Sequence, residues 1–336
     1  MTNRGRTAFG VCRPGLANAG IYDPPLMQSS DAGDLLRWVA ARDKERGQRM
    51  RFLRSTAGWA SAAVTMLMTQ SAFAGELGKA APWQMNLQEA ATPLMENIHS
   101  FHALLLVITT GVALFVLALL VVVMVRFNAK ANPEPSRTTH NTMIEVVWTV
   151  VPILILIVIA IPSFRLLYLS RDIPPADLTI KAIGNQWYWS YEYPDNGGVS
   201  FDSIMKADDE LKDGDVRLLS VDSPLVLPLN KVVRVIVTAN DVLHAWAVPS
   251  FGVKIDAVPG RLNELWVKAE KEGVFFGACS ELCGKDHSYM PIEVHVVPEA
   301  DFNAWAEKAK SAGLEDAYRM LAARESARGK LAAVRQ

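Results

Sequence analysis

Cysteine is scarce in this chain: Cys12, Cys279 and Cys283 are the three among 336 residues. Cys12 falls in a stretch expected to be removed on export, which leaves one close pair. So isolated a pair points to a metal or redox site rather than to a structural disulfide. Net charge is also nearly absent, at −1. That leaves no global field to attract nucleic acid or an anionic surface. No internal repeat occurs, and no glycine loop could cradle a phosphate. What the chain does hold is apolar residues, 50% of the total. Its mean hydropathy is positive, so the excess should be concentrated somewhere.

Residues 1–48 mix Pro, Gly, Asp and Arg with no apolar period and read as a disordered extension. A basic run, Arg49-Met50-Arg51-Phe52-Leu53-Arg54, then precedes an apolar stretch over Ala57–Met68 and a small-x-small end, Ala72-Phe73-Ala74. This pattern is that of a secretory signal peptide over 49–74; the competing reading is a short buried helix. Met50 is an alternative start codon, which would make residues 1–49 an over-call. Under both readings the mature chain begins near Gly75, outside the cytoplasm.

Leu104–Val125 is an uncharged apolar run long enough to cross a bilayer. Val146–Phe164 is a second, interrupted only by Pro152 and Pro162, which membrane helices tolerate. A hairpin segment over 75–175 is expected, with helices at about 102–126 and 143–170 in contact with lipid. Their connection carries Arg126, Lys130 and Arg137 against Glu134, whereas Lys79 is the one Lys or Arg in the segment Gly75–Ala103 before the first helix. The basic loop should stay in the cytoplasm, which puts both mature termini on the exported side. Glu145 stands at the cytoplasmic edge of the second helix. An acid there is either an interfacial group in water, the commoner case, or a proton entrance.

From 176 to 300 the pattern changes to short β-branched or alternating runs: Leu178–Ile183, Val216–Val221, Val232–Val237, Asn263–Ala269, Val274–Cys279 and Ile292–Val297. Turn residues such as Pro194-Asp195-Asn196-Gly197-Gly198 separate them. An antiparallel sandwich or barrel is expected. From 301 to 336 the chain reads helical, and Leu314–Gln336 is expected to be a solvated or partly disordered tail.

The chemistry is concentrated in Cys279-Ser280-Glu281-Leu282-Cys283-Gly284-Lys285-Asp286-His287-Ser288-Tyr289-Met290. Two thiolates, an imidazole and a thioether share this loop, and His244 follows a strand-like run far upstream. Such donors select a soft or borderline metal, copper above all. A mononuclear blue-copper centre needs one cysteine; the second, four residues on, lets two thiolates bridge two metals. One histidine then serves each copper, with Met290 completing one and a backbone carbonyl the other. Bridging thiolates spread an unpaired electron over both metals and keep reorganisation small. The centre would be a relay with no open position for substrate. The competing reading is a disulfide beside an ordinary His and Met.

The aromatic run Trp187-Tyr188-Trp189 could simply be barrel core. By strand alternation, one of Trp187 and Tyr188 should face out and the other in. Between Glu192 and Asp222 lie nine acidic residues against three basic ones. A charge run is usually a solvated face, but this one also suits steering of a basic partner.

With these motifs the chain resembles subunit II of cytochrome c oxidases of the mitochondrial and α-proteobacterial type. The likeness spans roughly Trp83–Ala306. It rests on Glu145-Val146-Val147-Trp148-Thr149, Gln186-Trp187-Tyr188-Trp189-Ser190-Tyr191-Glu192, Asp241-Val242-Leu243-His244-Ala245-Trp246-Ala247-Val248-Pro249, Pro259-Gly260-Arg261 and Cys279–Pro291. The resemblance implies a membrane-anchored all-β protein, with a two-helix transmembrane hairpin followed by a cupredoxin-like Greek-key β-barrel. It implies a binuclear copper A centre that takes electrons from cytochrome c and passes them to subunit I, where oxygen is reduced, in a proton-pumping respiratory complex. Carried over by position, Cys279 and Cys283 bridge both coppers. His244 and Met290 complete one copper, and His287 and the Glu281 carbonyl the other. The Glu281 carboxylate helps bind magnesium at the interface with subunit I. Trp187 is the electron acceptor, and Glu145 lies at the mouth of a proton channel. Asn185 departs from the family, many members of which carry His there. A quinol oxidase subunit normally lacks the copper ligands, a nitrous oxide reductase lacks the hairpin, and a copper chaperone would show a βαβ pattern.

Overall fold

The computed structural model describes residues 77–334. The expected extension at 1–48, the signal peptide at 49–74 and Met50 lie outside the described residues.

Two long helices come first, α1 over Pro93–Arg126 and α2 over Thr142–Arg171. Both are capped by the chemistry their first residues offer. Thr92 Oγ1 accepts from the Met95 amide at 3.1 Å, with Pro93 in the first turn. Asn141 Oδ1 accepts from the Ile144 amide at 3.2 Å. α1 starts well before the expected 102 because its first turns belong to the domain beyond the hairpin. Leu94 and Met95 are buried, and the Thr92 hydroxyl donates to Phe251 O at 2.7 Å. α2 buries none of its side chains, and the runs of both helices stand apolar on all sides, as a lipid-facing span requires. Its far end is tied down where Trp266 Nε1 donates to Leu169 O at 3.2 Å.

Ten strands follow. They are β1 (Leu178–Asn185), β2 (Tyr188–Tyr193), β3 (Val199–Ser203), β4 (Leu225–Pro228), β5 (Val233–Ala239), β6 (His244–Val248), β7 (Val253–Ala257), β8 (Asn263–Val267), β9 (Gly273–Ala278) and β10 (Pro291–Val297). They form a five-stranded sheet β3-β2-β1-β5-β8, a three-stranded sheet β4-β10-β9 and a β6-β7 ribbon. The sheets are mixed rather than wholly antiparallel, since β1 pairs parallel with β5 and β4 with β10. Alternation along β2 puts Trp189, Tyr191 and Tyr193 inside, where they meet Trp246, Phe251, Phe275 and Ile292 in one core. The expected strand at Val216–Val221 does not form: residues 216–219 turn, and Val221 makes one bridge to Met205.

The tail departs from expectation. α3 spans Glu299–Ala312, and α4 (Leu314–Val334), where a solvated or partly disordered tail is expected, is not solvated over its first turns. Phe302, Trp305, Ala317 and Leu321 are buried in the barrel's core cluster, and Tyr318 Oη donates to Pro224 O at 2.7 Å. The polar composition hid an apolar stripe at helical spacing, Ala317 and Leu321 one turn apart.

Candidate metal centre

His244 opens β6 rather than closing a strand, so the turn before it and the strand after it fix its ring. The ring is wholly buried, edge-on to Trp189 with centroids 6.0 Å apart. Across from it, Gly184 of β1 leaves room: a Cβ there would meet the His244 ring at 2.8 Å. The other donors come from the loop between β9 and β10. Cys279 Sγ lies 3.8 Å from His244 Nδ1 and 3.9 Å from Cys283 Sγ. Cys283 Sγ lies 3.4 Å from His287 Nδ1 and 3.6 Å from Met290 Sδ. The Glu281 carbonyl oxygen is 3.4 Å from Cys279 Sγ. Both thiols are free and buried, which excludes the competing disulfide reading. All six expected donors therefore converge, and the His244, Cys279 and Cys283 donor atoms lie within 4.8 Å of one another.

The electrostatics call for a cation. Burial works against ionisation of both thiols. At Cys279, hydrogen bonds from His244 and from the backbone at Glu281 and Ala245 outweigh it and draw the pKa down. At Cys283, burial is joined by the neighbouring Cys279 charge, and the pKa is pushed up. Ionising both thiols together is thus opposed, a cost that a bound cation would offset. The donor set of sulfur and imidazole suits a soft or borderline metal, so the residues present fit copper.

Asp241 sets the histidine. Its carboxylate is an acceptor 2.8 Å from His244 Nε2, so Nε2 carries the proton and Nδ1 faces the sulfurs. Burial opposes ionisation of Asp241, but hydrogen bonds from His244 and from the Val242 and Gln186 amides hold its pKa below the usual carboxylate range. Asp241 lies in one of the motifs that carry the resemblance, with no role attached to it. The available signal was its spacing, a carboxylate one turn before a ligating histidine.

Trp187 is not on a strand. It lies in the turn between β1 and β2, where alternation does not apply, and Trp187 and Tyr188 are both half-buried. The expectation that one of them faces in is thus corrected; Trp189 takes the inward place. Trp187 Nε1 donates to the Cys283 carbonyl at 3.2 Å, and Gln186 Nε2 donates to the same oxygen at 2.8 Å. Gly284 permits this contact, since a Cβ there would meet the indole at 3.0 Å. The Lys285 ammonium lies over the ring, 5.5 Å from its centroid. Asn185 is a buried hydrogen-bonded residue, accepting from Asn240 Nδ2 at 2.8 Å.

Glu281 also lines a cleft of about 1220 Å³ between the ends of the helices and β7–β8, with Arg171, Lys254, Asp256, Arg261 and Glu264. Glu145 is elsewhere. It stands half-exposed in the first turn of α2, about 36 Å of helix from Leu169, where α2 meets the barrel.

Comparison with known proteins agrees with this arrangement. The family described as cytochrome c oxidase subunit II, transmembrane domain, matches residues 80–166, and the family described as its periplasmic domain matches residues 178–297. A probable cytochrome c oxidase subunit 2 of Rickettsia bellii is 54% identical over 224 residues, covering 67% of this chain and 83% of the relative. The cytochrome c oxidase subunit 2 of Phytophthora megasperma is 46% identical over 234 residues, covering 68% of this chain and 88% of the relative. A crystal structure of the periplasmic domain of subunit II of the cytochrome oxidase of Bradyrhizobium japonicum is 60% identical, with a TM-score of 0.39, covering 41% of this chain and 97% of that one. An apolar helix hairpin, a cupredoxin-like sandwich and a sulfur–imidazole cluster in one chain, matched across both halves, place it in the cytochrome c oxidase subunit II family, as a membrane-anchored subunit of that oxidase.

Proposed function

We propose that Cys279, Cys283, His244, His287, Met290 and the Glu281 carbonyl hold a binuclear copper A centre, and that this chain is the electron-accepting subunit of its oxidase. The observation that carries the proposal is the convergence of all six donors, from two distant segments, around two free thiols 3.9 Å apart. When bound, the copper pair supplies a one-electron relay that changes little in geometry between its two oxidation states.

The chain's own residues do the rest. His244 presents Nδ1 because Asp241 takes its other nitrogen. The buried sulfurs exclude water, which keeps the surroundings from reorganising. Trp187 receives the electron: its indole is half-buried at the surface and its N–H reaches the Cys283 carbonyl, giving a short bonded route from solvent to the cysteine loop. The acidic segment between Glu192 and Asp222 steers a basic cytochrome c. Its lysine and arginine charges are partly spent inside it, Lys206 on Asp215 and Arg217 on Asp208. The Glu281 carboxylate contributes to a magnesium site shared with subunit I in the cleft beside α2, and Glu145 stands at a proton-channel mouth on the opposite side of the bilayer. The copper domain over 176–300 faces the periplasm, exported by the signal at 49–74.

Electron paramagnetic resonance of the copper-loaded chain tests the centre. One electron shared by two copper nuclei gives more hyperfine lines than a single nucleus can; a single-nucleus pattern would overturn the reading. Trp187→Ala should abolish electron transfer from reduced cytochrome c with the copper spectrum intact, and unchanged turnover would remove Trp187 from the route.

A further inference from the structure

One carboxylate touches both halves of the site. Asp241 Oδ1 accepts from His244 Nε2 at 2.8 Å and from the Val242 amide at 2.6 Å. Its Oδ2 accepts from the Gln186 amide at 2.7 Å. The Gln186 side chain then donates to the Cys283 carbonyl, the acceptor that Trp187 Nε1 also uses. A continuous hydrogen-bonded circuit therefore runs from His244 through Asp241 and Gln186 to Cys283. Its two ends, the His244 ring and the Cys283 carbonyl, lie on residues of the donor cluster, and its middle is the turn that carries Trp187.

We infer that Asp241 is a positioning residue that holds the His244 ring and the Trp187 turn as one unit, so that neither can shift without the other. The inference rests on the copper and Trp187 readings above. The competing account makes Asp241 one more surface acid that attracts a basic donor. Both Asp241 oxygens are engaged while its side chain is 33% exposed, so salt dependence separates the two. A steering acid acts through encounter, which salt screens; a positioning acid acts after docking, where salt has little effect. Nor does the Gln186 amide bond depend on any donor being present.

The test uses the assembled oxidase with Asp241→Ala, Asp241→Asn and, as a charge control, Asp209→Asn in the exposed acidic segment. Asp241→Ala removes both links. It should lower copper affinity about 10–100-fold in chelator competition, alter the hyperfine pattern, and reduce kcat with a loss that persists at high salt. Asp241→Asn keeps an oxygen for His244 but turns an amide N–H₂ toward the Gln186 N–H. It should spare the copper spectrum more than Asp241→Ala does and still lower kcat. In a Trp187→Phe background that fall in kcat should shrink, because the two residues act in one chain of contacts. Should Asp241→Ala fail to assemble, Asp241→Asn and the double variant decide the matter. Wild-type copper affinity and spectrum in both variants, with only a raised KM that vanishes at high salt as for Asp209→Asn, would overturn the proposal. If Trp187→Ala leaves turnover intact, the reading of Trp187 fails separately, and the copper affinity of Asp241→Ala still tests the hold on His244.

Discussion

The helix hairpin and the barrel bury their apolar residues in opposite ways. Along α2, Trp148 and Leu156 are 62% and 65% exposed, and no side chain of that helix is buried. In the barrel, Trp189, Trp246 and Trp305 are fully enclosed by the chain's own residues. The hairpin depends on a medium that the chain does not supply, lipid and neighbouring subunits; the barrel brings its own. This division suits the chemistry. The proposed relay, which must not reorganise, would sit in the part whose packing is self-contained, and the part whose surroundings can vary serves as anchor.

The sharpest way to break that comparison is to remove one large side chain from each region. Trp305→Ala should cost about 3–5 kcal/mol, the range for truncating an enclosed tryptophan. Its indole N–H has no hydrogen-bond partner, so the loss is packing alone, against Tyr193, Phe302 and Tyr318. Thermal unfolding of the barrel in the full chain should show the drop, and proteolysis should then cut first within α3–α4. An unchanged melting temperature would mean that the tail helices sit on the barrel without stabilising it. In the hairpin, truncating Leu156 should cost far less, because nothing of this chain packs on it. Placing a charge there is what should hurt: Leu156→Arg adds about 2.5–3.5 kcal/mol to insertion at mid-helix. Membrane-fraction yield reports this. Normal insertion of Leu156→Arg would mean that α2 lies against a polar partner rather than lipid.

How far the sequence revealed these features follows the same division. The hairpin was legible because a long uncharged apolar run has few other physical homes. The donors were legible because thiol, imidazole and thioether chemistry is rare and was confined to one loop plus His244. What escaped notice depends on partners distant in sequence. α1 begins at Pro93 because the barrel holds its first turns. Gly184 looks like any strand glycine until the His244 ring is placed against it. β1 pairs parallel with β5 through a crossover that no local pattern announces. Asp241 and Gln186 acquire their roles only when two turns 55 residues apart meet. The tail's apolar stripe was too narrow to stand out among its Ala, Arg and Glu.

A finer test lies at the barrel's acidic margin, where self-contained packing gives way to charge. Asp215 accepts from Lys206 Nζ at 2.9 Å and from the Lys212 amide at 2.9 Å. Burial pushes its pKa up, but these hydrogen bonds and the two lysine charges prevail and hold it below the ordinary carboxylate value. A carboxyl depressed in the folded state favours folding at pH above its unfolded pKa. That contribution is lost as the pH falls through the depressed value. The segment between β3 and β4 should therefore loosen in acid while the core strands do not. Hydrogen exchange at the Lys212 amide, corrected for intrinsic rate, should lose protection as the pH falls from about 5 through the depressed value. Lys206→Met should flatten that dependence, and the effect should be the smallest of the three, since such ion pairs contribute little each. Equal pH dependence in wild type and Lys206→Met would mean that the loop is held by its backbone turns and by Asp222 on the Ile204 amide, which would extend the barrel's self-sufficiency to its acidic edge.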